Sequence, residues 1–133
     1  MQLTEIDHIA IAVNDLEAAI AYYHEAFGVE VHHRETADFD GVEEALIKVG
    51  HSYIQLTAAT RPESPIARFL EKRGEGLHHV AYRVEDCATA LAQMVAAGAT
   101  AIDPEPRPGS RGTTVAFVHP KGSLGTLIEL VQE

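Results

Sequence analysis

The sequence is poor in cysteine, tryptophan and basic residues, with one cysteine, Cys87, no tryptophan, and ten lysines and arginines against twenty aspartates and glutamates. One cysteine cannot form an internal disulfide, which fits a reducing compartment, so we expect a cytoplasmic protein. A net charge of -10 disfavours nucleic acid as a partner, because that surface is polyanionic. No apolar run approaches the roughly 20 residues of a membrane span, and Glu5, Asp7 and His8 interrupt the N-terminal run, unlike a signal peptide. These absences favour a small molecule as the partner.

The chain of 133 residues carries one pattern twice. The stretch "IDHIAIAVNDLEAAI" returns as "LHHVAYRVEDCATAL", with an offset of 71 between His8 and His79 (79 minus 8). In each copy an alternating segment has the period of a half-buried strand. In the first copy, Ile9 and Ile11 share one face, and His8 and Ala10 share the other. The repeat therefore predicts two equivalent halves in which His8 and His79 converge across a pseudo-twofold axis.

Each half reads as strand, helix and three more strands. Asn14 or Asp15 is expected to cap the helix "LEAAIAYYHEAF", which Gly28 ends, and Asp86 caps its counterpart "CATALAQMVAA". The segments "VEVHHRE", "EEALIKV" and "SYIQLTA" then read as strands, as do "TAIDPEP", "TTVAFVH" and "GTLIELVQ" in the second half. We predict a single α+β domain of two βαβββ modules, about 1–60 and about 76–133, joined by a linker of about 61–75 with a short helix over 66–73.

Four polar residues occupy related positions on this frame. His8 and His79 lie on the first strands, and Gln55 and Glu129 lie on the last strands, in "YIQLT" and "LIELV". Two imidazoles, an amide and a carboxylate suit a borderline divalent metal such as Co²⁺, Mn²⁺, Ni²⁺, Zn²⁺ or Fe²⁺. The carboxylate of Glu129 gives the strongest indication, because it would be costly to bury amid apolar residues without a cation or donors. From the residues alone, structural histidines that are simply hydrogen-bonded remain an equal alternative.

The residues also resemble a known family. The duplicated frame and the segments "IDHIAIAV", "GLHHVAYRV" and "HPKGSLGTLIEL" are similar to the vicinal oxygen chelate superfamily, which includes glyoxalases, bleomycin resistance proteins and dioxygenases. The segments "DGVEEALIKVG" and "SPIARFLEKRGEGLHH" resemble its methylmalonyl-CoA epimerase family more specifically. The resemblance implies a curved mixed β-sheet around one divalent ion per chain. We expect Co²⁺, with Mn²⁺, Ni²⁺ or Zn²⁺ as alternatives.

The resemblance also implies the roles of individual residues. His8, Gln55, His79 and Glu129 match the family's metal ligands, and Glu44 matches its second catalytic acid. Epimerisation of a 2-acyl thioester needs two opposed bases, and Gln55 cannot accept a proton at neutral pH. The implied bases are therefore Glu44 and Glu129, and the implied substrate is a CoA thioester, with a homodimer as the assembly.

Coenzyme A carries phosphates, so an acidic protein that binds it needs a local basic patch. The candidate residues are cations on the linker helix and in later loops: Arg68, Lys72, Arg73, Arg107, Arg111 and Lys121. Three other functions fit the same frame. They are a glyoxalase I-type lactoylglutathione lyase, an extradiol dioxygenase with Fe²⁺ on His8, His79 and Glu129, and a metal-free protein that binds small molecules.

Overall fold

The structure, a computed structural model, describes all 133 residues. None of its helices combines the length and the apolar character of a membrane span. Eight strands form a mixed sheet, and three helices pack on it. In chain order the elements are β1 (Leu3–Ala12), α1 (Leu16–Phe27), β2 (His33–Ala37), β3 (Val42–Val49), β4 (Ser52–Ala59), α2 (Pro65–Arg73), β5 (Gly76–Val84), α3 (Cys87–Ala96), β6 (Arg107–Pro108), β7 (Thr114–Val118) and β8 (Ile128–Gln132).

The chain forms two compact units. The central unit is Ile9–His78, and the terminal unit combines Met1–His8 with His79–Glu133. Strands β1 and β5 contribute residues to both units, because the boundaries fall immediately after His8 and immediately before His79. The two histidines at the start of the repeats therefore both belong to the terminal unit.

The central unit has antiparallel pairs β2–β3 and β3–β4, with β1 beside β4. Helix α1 begins where Asp15 accepts a hydrogen bond from the N–H of Ala18, and it ends at Gly28, whose φ of 70° is left-handed. The helix packs on one face of β3 and β4 around a core of Val13, Leu16, Ala45, Ile47, Leu56 and Ala58. Helix α2 packs in a separate apolar cluster, in which Ile66 contacts Ala12 and Val42.

The terminal unit has a parallel pair, β5–β8, and two antiparallel pairs, β7–β8 and β6–β7. Asp86 caps α3 by accepting a hydrogen bond from the N–H of Thr89. This helix covers one face of the strands, where the core contains Val84, Cys87, Ala90, Leu91, Ala116, Val118 and Leu130. The opposite face carries a smaller apolar cluster of Ala81, Val115 and Val131. The rest of that face can therefore carry polar side chains.

The duplicated strand, helix and strand order is confirmed. Asp86 caps α3 as predicted, and of the two candidates Asn14 and Asp15 it is Asp15 that caps α1. Helix α1 has the predicted bounds, and α2 starts one residue early, at Pro65. Two strand positions were wrong. The strand in "VEVHHRE" begins at His33, just after a backbone hydrogen bond from His32 to Leu46, and "TAIDPEP" makes a single bridge through Ala101, with the two-residue β6 following it. Pro104 and Pro106 explain the second error, because proline has no N–H for a strand ladder.

Candidate functional site

Three of the four predicted metal ligands meet in the terminal unit. Nε2 of His8 lies 3.1 Å from Nε2 of His79 and 3.0 Å from Oε1 of Glu129. Nε2 of His79 lies 2.8 Å from the same Oε1. All three residues are buried. The arrangement directs two nitrogen donors and one oxygen donor at a single point.

The register of the strands explains why these residues meet. Ala81 on β5 is paired with Glu129 on β8, and Glu129 is also paired with Phe117 on β7. Paired residues share a face of the sheet, as do residues two apart on one strand, so His79, Glu129 and Phe117 point the same way. The ring of Phe117 packs edge-on against that of His79, with centroids 5.1 Å apart. The aromatic contact restricts the orientation of the imidazole.

Asp7 is a fourth buried member of the cluster. Strict alternation would place it on the face opposite His8, yet both residues are buried, whereas Ile6 before them is 45 % exposed. Nδ1 of His8 donates to Oδ2 of Asp7 at 2.7 Å. Two arginines from distant parts of the chain also donate to Asp7. Arg83 reaches Oδ1 through Nε at 3.0 Å and Nη2 at 2.8 Å, and Arg111 reaches it through Nη2 at 3.2 Å.

These contacts set the charges of the buried groups. Burial alone would lower the pKa of His8, but the carboxylates of Glu129 and Asp7 outweigh it and raise the pKa to about 9. Burial opposes ionisation of Glu129, yet His8 and His79 lower its pKa to about 2. The pKa of Asp7 is also lowered despite burial, through its hydrogen bonds with His8, Arg111 and Arg83. Both carboxylates are therefore ionised at neutral pH.

The other two predicted site residues lie in the central unit. Gln55 on β4 is buried, and its Oε1 accepts a hydrogen bond from Oγ1 of Thr57 at 3.0 Å. Glu44 on β3 is also buried, at 5 % exposure, and is paired with Thr57, while Leu46 is paired with Gln55. The register therefore places Glu44, Gln55 and Thr57 on one face of the β3–β4 pair.

Sequence reasoning missed Asp7, Arg83 and Arg111 as parts of the cluster. The available signal was a difference between the repeats, because Asp7 precedes His8 whereas His78 precedes His79. Arg107 and Arg111 had been predicted as candidates for a phosphate patch. In the structure Arg107 forms an ion pair with Asp103 and lies over the ring of Phe117, and Arg111 pairs with Asp7 and Glu133.

Comparison with known proteins gives a consistent picture. Residues 7–117 match the glyoxalase/bleomycin resistance protein/dioxygenase superfamily. An ethylmalonyl-CoA/methylmalonyl-CoA epimerase of Cereibacter sphaeroides is 41 % identical over 129 residues, which are 96 % of each chain. Two solved structures are each 40 % identical. One is a variant of the Streptomyces coelicolor methylmalonyl-CoA epimerase in complex with 2-nitronate-propionyl-CoA (TM-score 0.97, covering 99 % of each chain). The other is a methylmalonyl-CoA epimerase in complex with methylmalonyl-CoA and NH4+ (TM-score 0.96, covering 99 % of this chain and 96 % of that one).

The charges in the cluster predict how the stability of chelator-treated protein depends on pH. Because the pKa of Glu129 is lowered from its ordinary value of 4.5, this group stabilises the folded protein at pH values above 4.5. The stabilisation is lost as the pH falls towards about 2. Because the pKa of His8 is raised from its ordinary value of 6.5, this group stabilises the folded protein at pH values below 6.5. The stabilisation is lost as the pH rises through about 9. Glu129→Gln should therefore lower the free energy of unfolding most between about pH 4.5 and 6.5, by about 3 kcal/mol as measured by urea unfolding.

Glu30→Gln is the matched control, because it removes an exposed carboxylate that lies 3.1 Å from Nδ1 of the exposed His24. We expect a change below about 0.5 kcal/mol for an exposed pair. A Glu129→Gln cost that stays constant from pH 5.5 to pH 9 would show that the buried charges do not interact as described.

Proposed function

The chain belongs to the glyoxalase/bleomycin resistance protein/dioxygenase superfamily, and we propose that it interconverts (2R)- and (2S)-methylmalonyl-CoA. The observation that carries the proposal is the similarity of nearly the whole chain to known epimerases. Sequence similarity to a named epimerase covers 96 % of both chains, and structural similarity extends to an epimerase that holds methylmalonyl-CoA. The glyoxalase I reaction is not favoured, because the similar proteins reported above are epimerases.

The reaction removes a proton from C2 of the substrate, between the thioester and carboxylate carbonyls, and returns a proton to the opposite face. A single carboxylate on one side of C2 can exchange the proton but cannot invert the centre. The protein must therefore supply two proton-transfer groups and stabilise the enolate that forms between them.

We assign the metal ligands as His8, Gln55, His79 and Glu129. Donors bonded to one ion at about 2.0–2.2 Å lie about 3 Å apart when their bonds are at right angles, and the three donor atoms in the structure are separated by 2.8, 3.0 and 3.1 Å. Gln55 adds a buried, neutral oxygen whose second lone pair is free to bind, since the first accepts from Thr57. The donor set suits Co²⁺, with Mn²⁺, Ni²⁺ or Zn²⁺ as alternatives.

A bound divalent ion would supply positive charge that favours the anionic enolate. Two neutral imidazoles, a neutral amide and one carboxylate would leave the site with a formal charge of +1. The carboxylate of Glu129 directs Oε1 at both imidazoles. Its other oxygen, Oε2, is the atom we assign to proton transfer on one face of C2.

Glu44 is assigned as the opposing base. Its carboxylate is buried, and the strand register puts it on the same face as Gln55. Its counterpart in the second half, at the offset of 71, is Val115, so the repeat supplies no second copy of this acid. Burying a charged carboxylate costs free energy, so a buried acid that the repeat does not require is a candidate for a functional role.

For recognition of the CoA phosphates we favour the four predicted cations that are not held in the ion pairs described above. Arg68, Lys72 and Arg73 are exposed on α2, and Lys121 is exposed in the loop before β8. We further propose that the enzyme works in the cytoplasm, which a free, buried Cys87 supports. The family resemblance is the basis for proposing a homodimer.

Incubation with (2S)-methylmalonyl-CoA in D₂O tests the proposed function. We expect both epimers to form, with deuterium at C2, and ethylmalonyl-CoA to be a second substrate for comparison. The hemithioacetal of methylglyoxal and glutathione should not react. Consumption of the hemithioacetal without any exchange in the CoA esters would replace the epimerase assignment with that of a glyoxalase.

Metal binding should reach one Co²⁺ per chain and should release about one proton at pH 7. The pKa of His8 is about 9 in the metal-free cluster, so the ring must lose its proton before it can bind the ion. Affinity should therefore rise with pH from 6 to 8. Titration calorimetry in two buffers of different ionisation enthalpy measures the proton release.

His79→Gln should weaken Co²⁺ binding at least about 100-fold, because it removes a ligand rather than a neighbour of one. His78→Gln is the control, since the ring of His78 packs against Phe69, with centroids 5.0 Å apart. Equal affinities for the two variants would exclude His79 from the ligand set.

Glu44→Gln should retain the metal content of the wild type yet reduce epimerisation by about 10² or more, as expected for loss of a general base. With Glu129 still active from its own face, one epimer should exchange its C2 proton for deuterium without inverting, and the other should not. NMR of the recovered CoA esters distinguishes these outcomes. Glu43→Gln, at the neighbouring position on β3, is the control and should epimerise normally. Wild-type epimerisation by Glu44→Gln would contradict the two-base assignment.

A further inference from the structure

We propose that Asp7 is a positioning residue that fixes which nitrogen of His8 is available to bind the metal ion. The inference rests on the metal-ligand assignment of the proposed function and extends it to a residue that does not bind the ion. Its basis is the hydrogen bond of 2.7 Å between Nδ1 of His8 and Oδ2 of Asp7.

The direction of this hydrogen bond follows from the surroundings of Asp7. Two guanidinium groups, from Arg83 and Arg111, donate to its carboxylate, which is fully buried. A carboxylate held between two permanent cations is ionised, and an ionised carboxylate can only accept hydrogen bonds. Nδ1 of His8 must therefore carry the proton.

The consequence for His8 is a fixed tautomer and a fixed ring orientation. With the proton on Nδ1, Nε2 is the nitrogen that can present a lone pair in the neutral ring. That nitrogen is the one aimed at His79 and Glu129, at 3.1 and 3.0 Å. Asp7 thus presents the correct donor atom at the cluster before any ion arrives.

The contacts of Asp7 divide between its two oxygens. Oδ1 takes the three shorter guanidinium contacts, from Nε and Nη2 of Arg83 and Nη2 of Arg111. Oδ2 takes the contact with His8, and Nη1 of Arg111 approaches it only at 3.4 Å. One oxygen therefore anchors the carboxylate, and the other holds the imidazole.

The second half of the chain does not repeat this arrangement. The residue at the position of Asp7 is His78, whose ring packs edge-on against Phe69. The ring of His79 is instead held by the edge-on contact with Phe117. Of the two equivalent histidines, His8 is thus the one that is hydrogen-bonded to a carboxylate held by two arginines. The duplicated sequence pattern does not require this arrangement.

Asp7→Asn tests the inference, with zinc alone as the probe. The amide keeps the shape of the side chain but replaces the carboxylate with a weaker, neutral acceptor. We expect zinc affinity, measured by competition with a chromophoric chelator, to fall about 10- to 100-fold, the usual effect of losing an outer carboxylate partner of a ligating histidine. In ¹⁵N-histidine-labelled, zinc-loaded protein, the Nδ1 proton of His8 should move upfield and exchange faster with solvent.

Glu5→Gln is the matched control. It removes the same charge two residues earlier on β1, and Glu5 also accepts a hydrogen bond from Arg83, at 2.6 Å. We expect its zinc affinity to stay within about twofold of the wild type, and the His8 resonance to be unchanged. If Asp7→Asn is poorly folded, the double variant Asp7→Asn/Arg111→Gln, which removes one charge of each sign, is measured instead.

The outcomes separate the two levels of the proposal. Wild-type protein that fails to bind zinc would contradict the ligand assignment. Wild-type protein that binds zinc, together with a folded Asp7→Asn protein of equal affinity and an unshifted His8 resonance, would overturn the role of Asp7. Loss of thermal stability alone, with affinity and resonance intact, would likewise show that Asp7 is structural.

Discussion

The site depends on the placement of two ionised carboxylates inside the protein. Asp7 and Glu129 are buried, and burial by itself opposes the charge on both. Arg83 and Arg111 compensate Asp7, and the imidazoles of His8 and His79 compensate Glu129. His8 lies between the two carboxylates and contacts each through a different ring nitrogen. Because every member balances a neighbour, the loss of one group leaves an uncompensated charge in a medium of low polarity.

Much of the fold could be predicted because its signals are local. Asp15 and Asp86 cap helices by accepting hydrogen bonds from residues three positions later, and such short-range patterns are visible in sequence. The meeting of His8 and His79 could also be predicted, since alternation within each strand and the repeat between strands both point to it. The presence of Glu129 beside the two histidines could be predicted as well, because a carboxylate among apolar residues is costly to bury without such partners.

The rest could not be predicted because it depends on distant or irregular features. Arg83 and Arg111 reach Asp7 across 76 and 104 positions of sequence, and no local pattern links them. Burial does not alternate at Asp7 and His8, which are adjacent yet both buried, so the pattern of a half-buried strand does not mark Asp7 as part of the cluster. The chemistry departs from symmetry in the same way. Glu44 has Val115 as its counterpart, and Asp7 has His78.

The division of the chain into units has a consequence for the order of events during synthesis. The central unit, Ile9–His78, is continuous, so all of its residues are available before β8 is made. The terminal unit is discontinuous, and its residues 1–8, with Asp7 and His8, contact residues that are translated later, namely Arg83, Arg111 and Glu129. Domains that lie earlier in a chain generally fold first during synthesis, but here Asp7 and His8 must wait for partners from the later part of the terminal unit. The cluster is therefore completed only after Glu129 has been translated, and a truncated nascent chain cannot assemble it.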